Sequence, residues 1–182
     1  MKVIMLGAGA WGTALAKVLH ENGNGVTLWD IDTALLDEIR RGRSERYLPG
    51  VPLPTDWKVE VDFKKAVGGA ECVVMAVPSN VFRQVAMKLK GHPAILVSVT
   101  KGIEFETGET MSRILCEQAP PNRVAVLSGP SFAREVALGI PTAVVCASES
   151  DGMARTVQDS STVRNSEFIA ARTFSAWNMA AR

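Results

Sequence analysis

The feature that most constrains this chain is a glycine-rich run close to its N-terminus. The run is Gly7-Ala8-Gly9-Ala10-Trp11-Gly12, a GxGxxG pattern. It follows the apolar segment Lys2–Leu6, which is predicted to form a buried strand. It opens the segment Trp11–Asn22, whose apolar residues recur at helical spacing. A strand, a tight glycine turn and a helix in this order predict the first unit of a parallel α/β sheet.

The glycines of this run match the requirements of a turn that binds a dinucleotide. Gly7 permits the tight turn, Gly9 lets the backbone approach a pyrophosphate, and Gly12 lets the helix pack closely on the strand. Free N–H groups and the helix dipole then face the phosphates. The alternative is a glycine-rich turn that only joins a strand to a helix. We predict that Gly7, Gly9 and Gly12 bind a cofactor.

Strands and helices continue to alternate along the chain. Further strands are predicted at Val26–Trp29, Glu71–Val77, Ala94–Val99, Arg123–Leu127 and Thr142–Ala147. Further helices are predicted at Thr33–Arg41, Asn80–Leu89, Glu109–Glu117 and Phe132–Leu138. The segment Gly42–Lys58 is rich in proline and glycine and is predicted to be a long loop. Apolar strands without alternation are covered on both faces, so we expect a Rossmann-type, doubly wound, mostly parallel sheet.

Asp30, at the end of the second predicted strand, is expected to bind the cofactor. An acid at this position accepts hydrogen bonds from ribose hydroxyls and repels a 2′-phosphate, and Asp32 adds to that repulsion. NAD is therefore predicted as the cofactor, with NADP left open. Each aspartate has an alternative role as the N-terminal cap of the next helix.

Pro78 follows another predicted strand, Glu71–Val77. In open sheets, ligands lie beyond the carboxyl ends of the strands, so Pro78 is expected to border the nicotinamide end of the cofactor. It is equally suited to starting a helix.

Charge and cysteine content exclude several classes of protein. The 182 residues carry a formal net charge of +1, which gives no electrostatic case for binding nucleic acid or an anionic membrane surface. No apolar run reaches the about 18 residues of a membrane span. Cys72, Cys116 and Cys146 form no CxxC pair, so free thiols are expected instead of disulfides or metal ligands. These features favour a cytoplasmic location.

Four motifs lie in a fixed order along the chain. They are Gly7–Leu15, Tyr47-Leu48-Pro49, Thr100-Lys101-Gly102-Ile103-Glu104 and Leu127–Glu135, which reads LSGPSFARE. Together they resemble the N-terminal domain of bacterial NAD(P)-dependent glycerol-3-phosphate dehydrogenase, from Lys2 to about Asp159. The resemblance implies reversible reduction of dihydroxyacetone phosphate to sn-glycerol 3-phosphate, and therefore a small phosphate substrate.

The resemblance also assigns roles to individual residues. It implies that Lys101, Gly129 and Ser131 contact the substrate. It implies that the cofactor is bordered by Ala10, Trp11, Tyr47, Lys101 and Ala133. The residue chemistry agrees at Lys101, because an ammonium group after a strand end is a point-charge partner for a phosphate.

The chain departs from the family pattern at the cofactor end. Ala10 stands where many relatives carry serine. Ile31 and Asp32 stand where relatives that use NADP carry histidine or arginine. The second departure favours NAD.

After Asp159 the resemblance ends. The family continues with a strand, a GVExGGAxKN segment whose lysine is the proposed general acid/base, and a helical substrate domain. We therefore predict a dinucleotide-binding domain at 1–159 and an atypical, poorly ordered tail at 160–182, with no catalytic residue in either. One hypothesis for the tail is a one-nucleotide deletion in the gene, because a back-translation of Ser175–Ala181 with suitably chosen codons, shifted by one base, encodes GVEYGG. The chain is expected to bind dinucleotide weakly and not to turn over.

Two other functions are compatible with a cofactor domain. One is a dehydrogenase that acts on a hydroxy acid, which the LSGPSFARE and Tyr47-Leu48-Pro49 motifs disfavour. The other is a non-catalytic dinucleotide-binding or redox-sensing module, which the absence of a catalytic residue favours. A homo-oligomer is left open.

Overall fold

The computed structural model describes the backbone of residues 1–161 and 168–171 and the side chains of residues 1–159. The strands are β1 (Lys2–Leu6), β2 (Gly25–Trp29), β3 (Lys58–Glu60), β4 (Cys72–Met75), β5 (Ile95–Ser98), β6 (Val124–Ser128), β7 (Val144–Ser148) and β8 (Phe168–Ala171). The helices are α1 (Ala10–Glu21), α2 (Thr33–Arg40), α3 (Phe63–Val67), α4 (Ser79–Met87), α5 (Met111–Cys116), α6 (Ala133–Ala137) and α7 (Asp151–Ser161), with a short 3-10 turn at Pro121–Arg123.

The strands form one sheet in the order β3-β2-β1-β4-β5-β6-β7-β8. Neighbouring strands are parallel, except that β7 runs antiparallel to β6. The chain first winds outward from β1 to β3 and then returns to the other side of β1 at β4. This reversal opens a crevice at the carboxyl ends of β1 and β4, where ligands of doubly wound sheets lie. The predicted Rossmann-type, mostly parallel sheet is confirmed.

The apolar core lies on both faces of this sheet. In β1, Val3 and Met5 pack into one cluster, while Ile4 and Leu6 pack into the other. All four side chains are buried. The central strands are therefore continuously apolar, as expected for strands that helices cover on both sides.

Several elements were absent from the sequence-based prediction, among them β8 and the 3-10 turn at Pro121–Arg123. The edge strand β3 pairs with β2 through its backbone, with Lys58 opposite Thr27, and its polar sequence carries no strand signal. Helix α3 has only five residues and is capped by Asp62, whose side chain accepts a hydrogen bond from the Lys65 amide. Helix α7 was also not predicted. The polar edge strand β3 and the five-residue helix α3 lack the periodicity on which the prediction depended, an explanation that does not extend to the 11-residue α7.

The loop between α2 and β3 packs against the core. The loop buries four apolar side chains in the cluster that contains Val3 and Met5 of β1: Leu48, Val51, Leu53 and Trp57. These contacts hold the adjacent Tyr47 beside the crevice.

Some residues of the predicted tail, 160–182, belong to a helix and to a strand of the sheet. Helix α7 runs to Ser161, and Phe168–Ala171 forms β8, parallel to β7. Residues 162–167 and 172–182, on which most of the predicted poor order falls, lie outside the described residues. The domain boundary at Asp159 stays a prediction. Within the described ranges, no helix combines the length and apolar composition needed to cross a membrane.

Candidate functional site

A cleft of about 960 Å³ lies at the carboxyl ends of β1, β2, β4 and β5. Its walls include these predicted site residues: Gly7, Gly9, Ala10, Trp11, Gly12, Asp30, Tyr47, Pro78, Lys101, Ser131 and Ala133. Gly129 is the predicted site residue that does not line it. Residues that are distant in the sequence are therefore brought together at the point where the strand order reverses.

Packing and backbone conformation account for two of the glycines in the β1–α1 turn. Gly7 has a φ of +104°, and a Cβ there would lie 2.7 Å from the Ala76 carbonyl oxygen. A Cβ on Gly12 would lie 2.0 Å from the Gly7 carbonyl oxygen. Any side chain at either position would force the turn and α1 apart from β4.

Gly9 differs from its neighbours in the turn. It is the N-terminal cap of α1 with φ −65° and ψ −176°, a conformation open to any residue. A Cβ at this position would meet no atom within 4 Å. Among the described residues, no side chain caps the N-terminus of α1. Neither the backbone nor the packing requires glycine here, and the uncapped helix terminus faces the cleft.

The two aspartates after β2 have separate roles. Asp30 accepts hydrogen bonds from the Ala8 amide at 2.7 Å and the Asp32 amide at 3.0 Å. Its carboxylate therefore joins the glycine turn to the end of β2. Asp32 caps α2 by accepting from the Leu35 amide at 3.0 Å. The capping alternative thus applies to Asp32 and not to Asp30.

Arg46 and Tyr47 approach the same end of the cleft. The Arg46 guanidinium lies 3.7 Å from the Asp32 carboxylate and 5.1 Å from the centre of the Tyr47 ring. The negative charge at this end is therefore partly balanced by an exposed arginine.

At the other end, Lys101 lies beside the segment that follows β6. Its Nζ donates to the Gly129 carbonyl oxygen at 3.3 Å, and the Ser131 hydroxyl donates to the same oxygen at 3.4 Å. Gly129 itself lies against β7, because a Cβ there would be 2.9 Å from the Ala143 carbonyl oxygen. Its lack of a side chain thus has a packing explanation, while its carbonyl group joins Lys101 and Ser131.

Thr100 fixes the end of β5 beside β4. Its hydroxyl lies 2.8 Å from the Val77 carbonyl oxygen and 3.2 Å from that of Met75. Pro78 comes directly after Val77. It is the N-cap residue of α4 and it also lines the cleft, so it occupies both of the positions expected for it.

Several cleft residues were not identified from the sequence. Ile31 is 84% exposed and Phe132 is 72% exposed, although both are apolar. Sequence periodicity assigns such residues to the core and therefore cannot find them. Asn80, Gln84 and Lys88 also line the cleft from α4 and its C-terminal end. Their spacing of four residues is a helical-face signal that could have been used.

The two histidines of the chain lie away from the cleft. His20 pairs with Asp56 at 3.0 Å, and His92 accepts a hydrogen bond from the Ala94 amide. Among the described residues, no three histidine, cysteine or acidic side chains are grouped as metal ligands would be.

Comparison with known proteins gives a consistent family. The family model for the NAD-dependent glycerol-3-phosphate dehydrogenase N-terminus matches residues 2–154. Glycerol-3-phosphate dehydrogenase (NAD(P)+) of Anaeromyxobacter dehalogenans is 48% identical over 166 residues, which is 87% of this chain and 50% of that protein. The protein of the same name from Clostridium perfringens strain SM101 is 41% identical over 162 residues, 87% of this chain and 49% of that protein.

Solved structures agree with the sequence comparison. Glycerol-3-phosphate dehydrogenase from Coxiella burnetii matches with a TM-score of 0.85 and 30% identity, covering 95% of this chain and 54% of that chain. The Plasmodium falciparum enzyme matches with a TM-score of 0.88 over the full chain and 55% of its own length, and its 22% identity supports the fold alone. The chain thus spans about half the length of the curated relatives it matches. It belongs to the NAD-dependent glycerol-3-phosphate dehydrogenase family and corresponds to the N-terminal half of its relatives.

Proposed function

We propose that the cleft binds NAD(H) together with a small phosphate ester, as the cofactor-binding part of a glycerol-3-phosphate dehydrogenase. The single observation that carries this proposal is the open space at Gly9. Gly9 has an ordinary conformation, and a methyl group there would have no neighbour within 4 Å, so a ligand that approaches the backbone is the remaining reason for glycine. A pyrophosphate over the N-terminus of α1 fits this requirement.

The charges at the end of β2 support NAD over NADP. Asp30 and Asp32 both line the cleft. Each Asp30 oxygen accepts one backbone hydrogen bond and keeps a lone pair for a ribose hydroxyl. A 2′-phosphate would meet two carboxylates at this end, which opposes NADP binding. NADP stays the alternative because Arg46 lies beside Asp32.

The other end of the cleft supports binding of a phosphate ester. Lys101 offers an ammonium group and Ser131 a hydroxyl, and both contact the Gly129 carbonyl group. These donors are suited to a phosphate or to a carbonyl oxygen that gains negative charge. When bound in its reduced form, the nicotinamide would supply the hydride for reduction of the substrate. Lys101 and Ser131 orient the substrate and hold its oxygens.

The main alternative is a non-catalytic module that senses the redox state of the dinucleotide. Such a module would bind NADH and ignore glycerol 3-phosphate. The contacts that join Lys101, Gly129 and Ser131 favour the dehydrogenase, because a sensor has no need of a second group of anion donors beside the nicotinamide end.

Isothermal titration with NADH, NADPH and glycerol 3-phosphate tests the proposal. We expect wild type to bind NADH and, in its presence, glycerol 3-phosphate. Gly9→Ala is expected to fold normally and to weaken NADH binding at least about tenfold, because its methyl group meets the ligand. Gly25→Ala is the matched control, because a Cβ there comes no closer than 3.9 Å to the Met1 carbonyl oxygen. Unchanged NADH affinity in Gly9→Ala would count against the cofactor site.

Two broader predictions from the sequence are also kept as proposals. A cytoplasmic location is supported by the three free cysteines, which fit a reducing compartment. A homo-oligomer is to be tested by analytical ultracentrifugation of the purified chain.

A further inference from the structure

The segment Lys101–Thr110, which we call the KG loop, connects the end of β5 to the start of α5. It forms a small hairpin in which Ile103 pairs with Thr110. The Glu104 amide donates to the Glu109 carbonyl oxygen at 2.8 Å, and the Gly108 amide donates to the Glu104 carbonyl oxygen at 2.9 Å. The loop therefore has an ordered backbone although it lies outside the sheet.

Apolar packing contributes little to holding the tip of this loop. Phe105 is 97% exposed, and Ile103 is also exposed. Glu104, a charged residue, is only 7% exposed. The usual order is thus reversed, because the carboxylate is buried while the neighbouring aromatic ring is in solvent.

The buried carboxylate of Glu104 is fully paired. Arg83 on α4 donates to it from Nε at 2.7 Å and 3.0 Å and from Nη2 at 2.9 Å. The Thr107 hydroxyl donates to it at 2.6 Å. A second arm of Arg83 binds Glu117, just after α5. Arg83 therefore ties the KG loop to both α4 and α5.

Lys101 lies between two fixed points of the chain. On one side, the Thr100 hydroxyl is bound to the end of β4. On the other side, Glu104 is bound to Arg83. The intervening Gly102 has a φ of +105°, a conformation that L side chains rarely adopt. Lys101 therefore lies on a short stretch of chain whose two ends are both bound to neighbouring elements.

We infer that Arg83 and Glu104 are positioning residues that hold the Lys101 ammonium beside Gly129 and Ser131 for binding of a phosphate ester. This inference rests on the proposed role of Lys101. Arg83 and Glu104 do not line the cleft, so in this inference they act only through the path of the KG loop. The competing interpretation is an ion-pair network that stabilises the fold without influence on Lys101.

A double-mutant cycle separates these interpretations. Glu104→Gln is expected to weaken glycerol 3-phosphate binding about tenfold in the presence of NADH, because a charged contact to the anion is misplaced. NADH affinity is expected to change less than about twofold. In a Lys101→Ala background, Glu104→Gln is expected to have no further effect on glycerol 3-phosphate binding. Asp37→Asn is the matched control, because it breaks another arginine–carboxylate pair, Arg40 with Asp37, on α2.

A result in which Glu104→Gln weakens glycerol 3-phosphate binding equally with and without Lys101 would overturn the inference. So would a lowered melting temperature with unchanged glycerol 3-phosphate affinity. If Glu104→Gln does not fold, Thr107→Val removes one hydrogen bond to the same carboxylate and is expected to show a smaller effect in the same cycle.

The failure of the proposed function can be distinguished from the failure of this inference. Wild type that binds NADH but neither glycerol 3-phosphate nor inorganic phosphate would contradict the proposed substrate. The NMR signal of ¹³C-dimethylated Lys101 then decides the positioning claim. It is expected to shift in Glu104→Gln and to stay unchanged in Asp37→Asn, and an unshifted signal in Glu104→Gln would refute the claim.

Discussion

Gly7, Gly9 and Gly12 are chemically identical, yet a methyl group added to each would meet a different environment. At Gly7 and Gly12 it would strike backbone atoms of the protein itself, whereas at Gly9 it would enter open space. Substitution at Gly12 therefore tests folding, and substitution at Gly9 tests ligand binding.

Gly12→Ala is expected to destabilise the fold. Its Cβ would lie 2.0 Å from the Gly7 carbonyl oxygen, so α1 must move away from the turn. Overpacking of this kind costs about 1–3 kcal/mol, although alanine regains up to about 1 kcal/mol of helix propensity. Urea denaturation followed by circular dichroism measures the change, with Gly25→Ala as control. A denaturation midpoint equal to that of wild type would contradict the packing argument.

The buried cysteines give a second prediction for single residues. Burial raises the pKa of Cys72 and of Cys146 to about 12, and burial also raises the pKa of the half-buried Cys116. Thiolates are the reactive form, so at pH 8 the native chain should react with Ellman's reagent first at Cys116 and much more slowly at the other two. Mass spectrometry of the labelled peptides identifies the order, and early labelling of Cys72 would contradict it.

The same shifts determine a pH dependence. Below the unfolded pKa of about 9, the Cys72 and Cys146 thiols are neutral in both states and no stability is lost. Above it the unfolded chain releases a proton that the folded chain retains, so stability falls as pH rises from about 9 toward 12. Cys72→Ala should show a shallower fall than wild type between these limits in urea denaturation at several pH values.

At the scale of elements, the N-terminus of α2 combines helix capping with a proposed role in cofactor selection. Asp32 accepts a hydrogen bond from the Leu35 amide and also lines the cleft. Asparagine caps a helix about as well as aspartate but carries no charge. The two roles can therefore be separated by one substitution.

Asp32→Asn is expected to keep α2 intact and to tighten NADPH binding about fivefold, because one charge that repels a 2′-phosphate is removed. NADH affinity should be unchanged. Asp62→Asn is the matched control, because Asp62 caps α3 in the same way and lies outside the cleft. Titration calorimetry with both cofactors measures the effect, and a proportional change for NADH and NADPH would argue against charge as the cause.

At the scale of the whole molecule, the chain matches half of its relatives' length, and no catalytic acid/base is predicted within residues 1–159. We expect the purified 182-residue chain to bind NADH without oxidising it in the presence of dihydroxyacetone phosphate. Absorbance of NADH over time is the measurement, with a full-length relative as the positive control. Measurable turnover above the rate without protein would contradict the prediction.

The origin of residues 160–182 can be tested separately in the coding DNA. The hypothesis of a one-nucleotide deletion requires that inserting one base near the Asp159 codon restores a GVExGG segment at Ser175–Ala181. If no single-base change restores the segment, the hypothesis is wrong.

The sequence by itself determined the order of strands and helices in the central sheet and the place of the glycine turn. These depend on local signals: continuous apolar runs, helical spacing, and glycine where a strand meets a helix. It did not reveal β3, because this three-residue edge strand is held by backbone pairing with β2 and is too short to show an apolar run. It also could not separate Asp30 from Asp32 as helix caps.

Only the tertiary structure decided why particular residues are needed. It shows that β7 leaves no room for a side chain at Gly129, that open space lies at Gly9, and that Arg83 of α4 pairs with Glu104 of the KG loop. The contact of Gly129 with β7 and the pairing of Arg83 with Glu104 join residues that the fold brings together from different elements. Local sequence determines what a segment can form, whereas contacts between distant segments exist only after the sheet has set their positions.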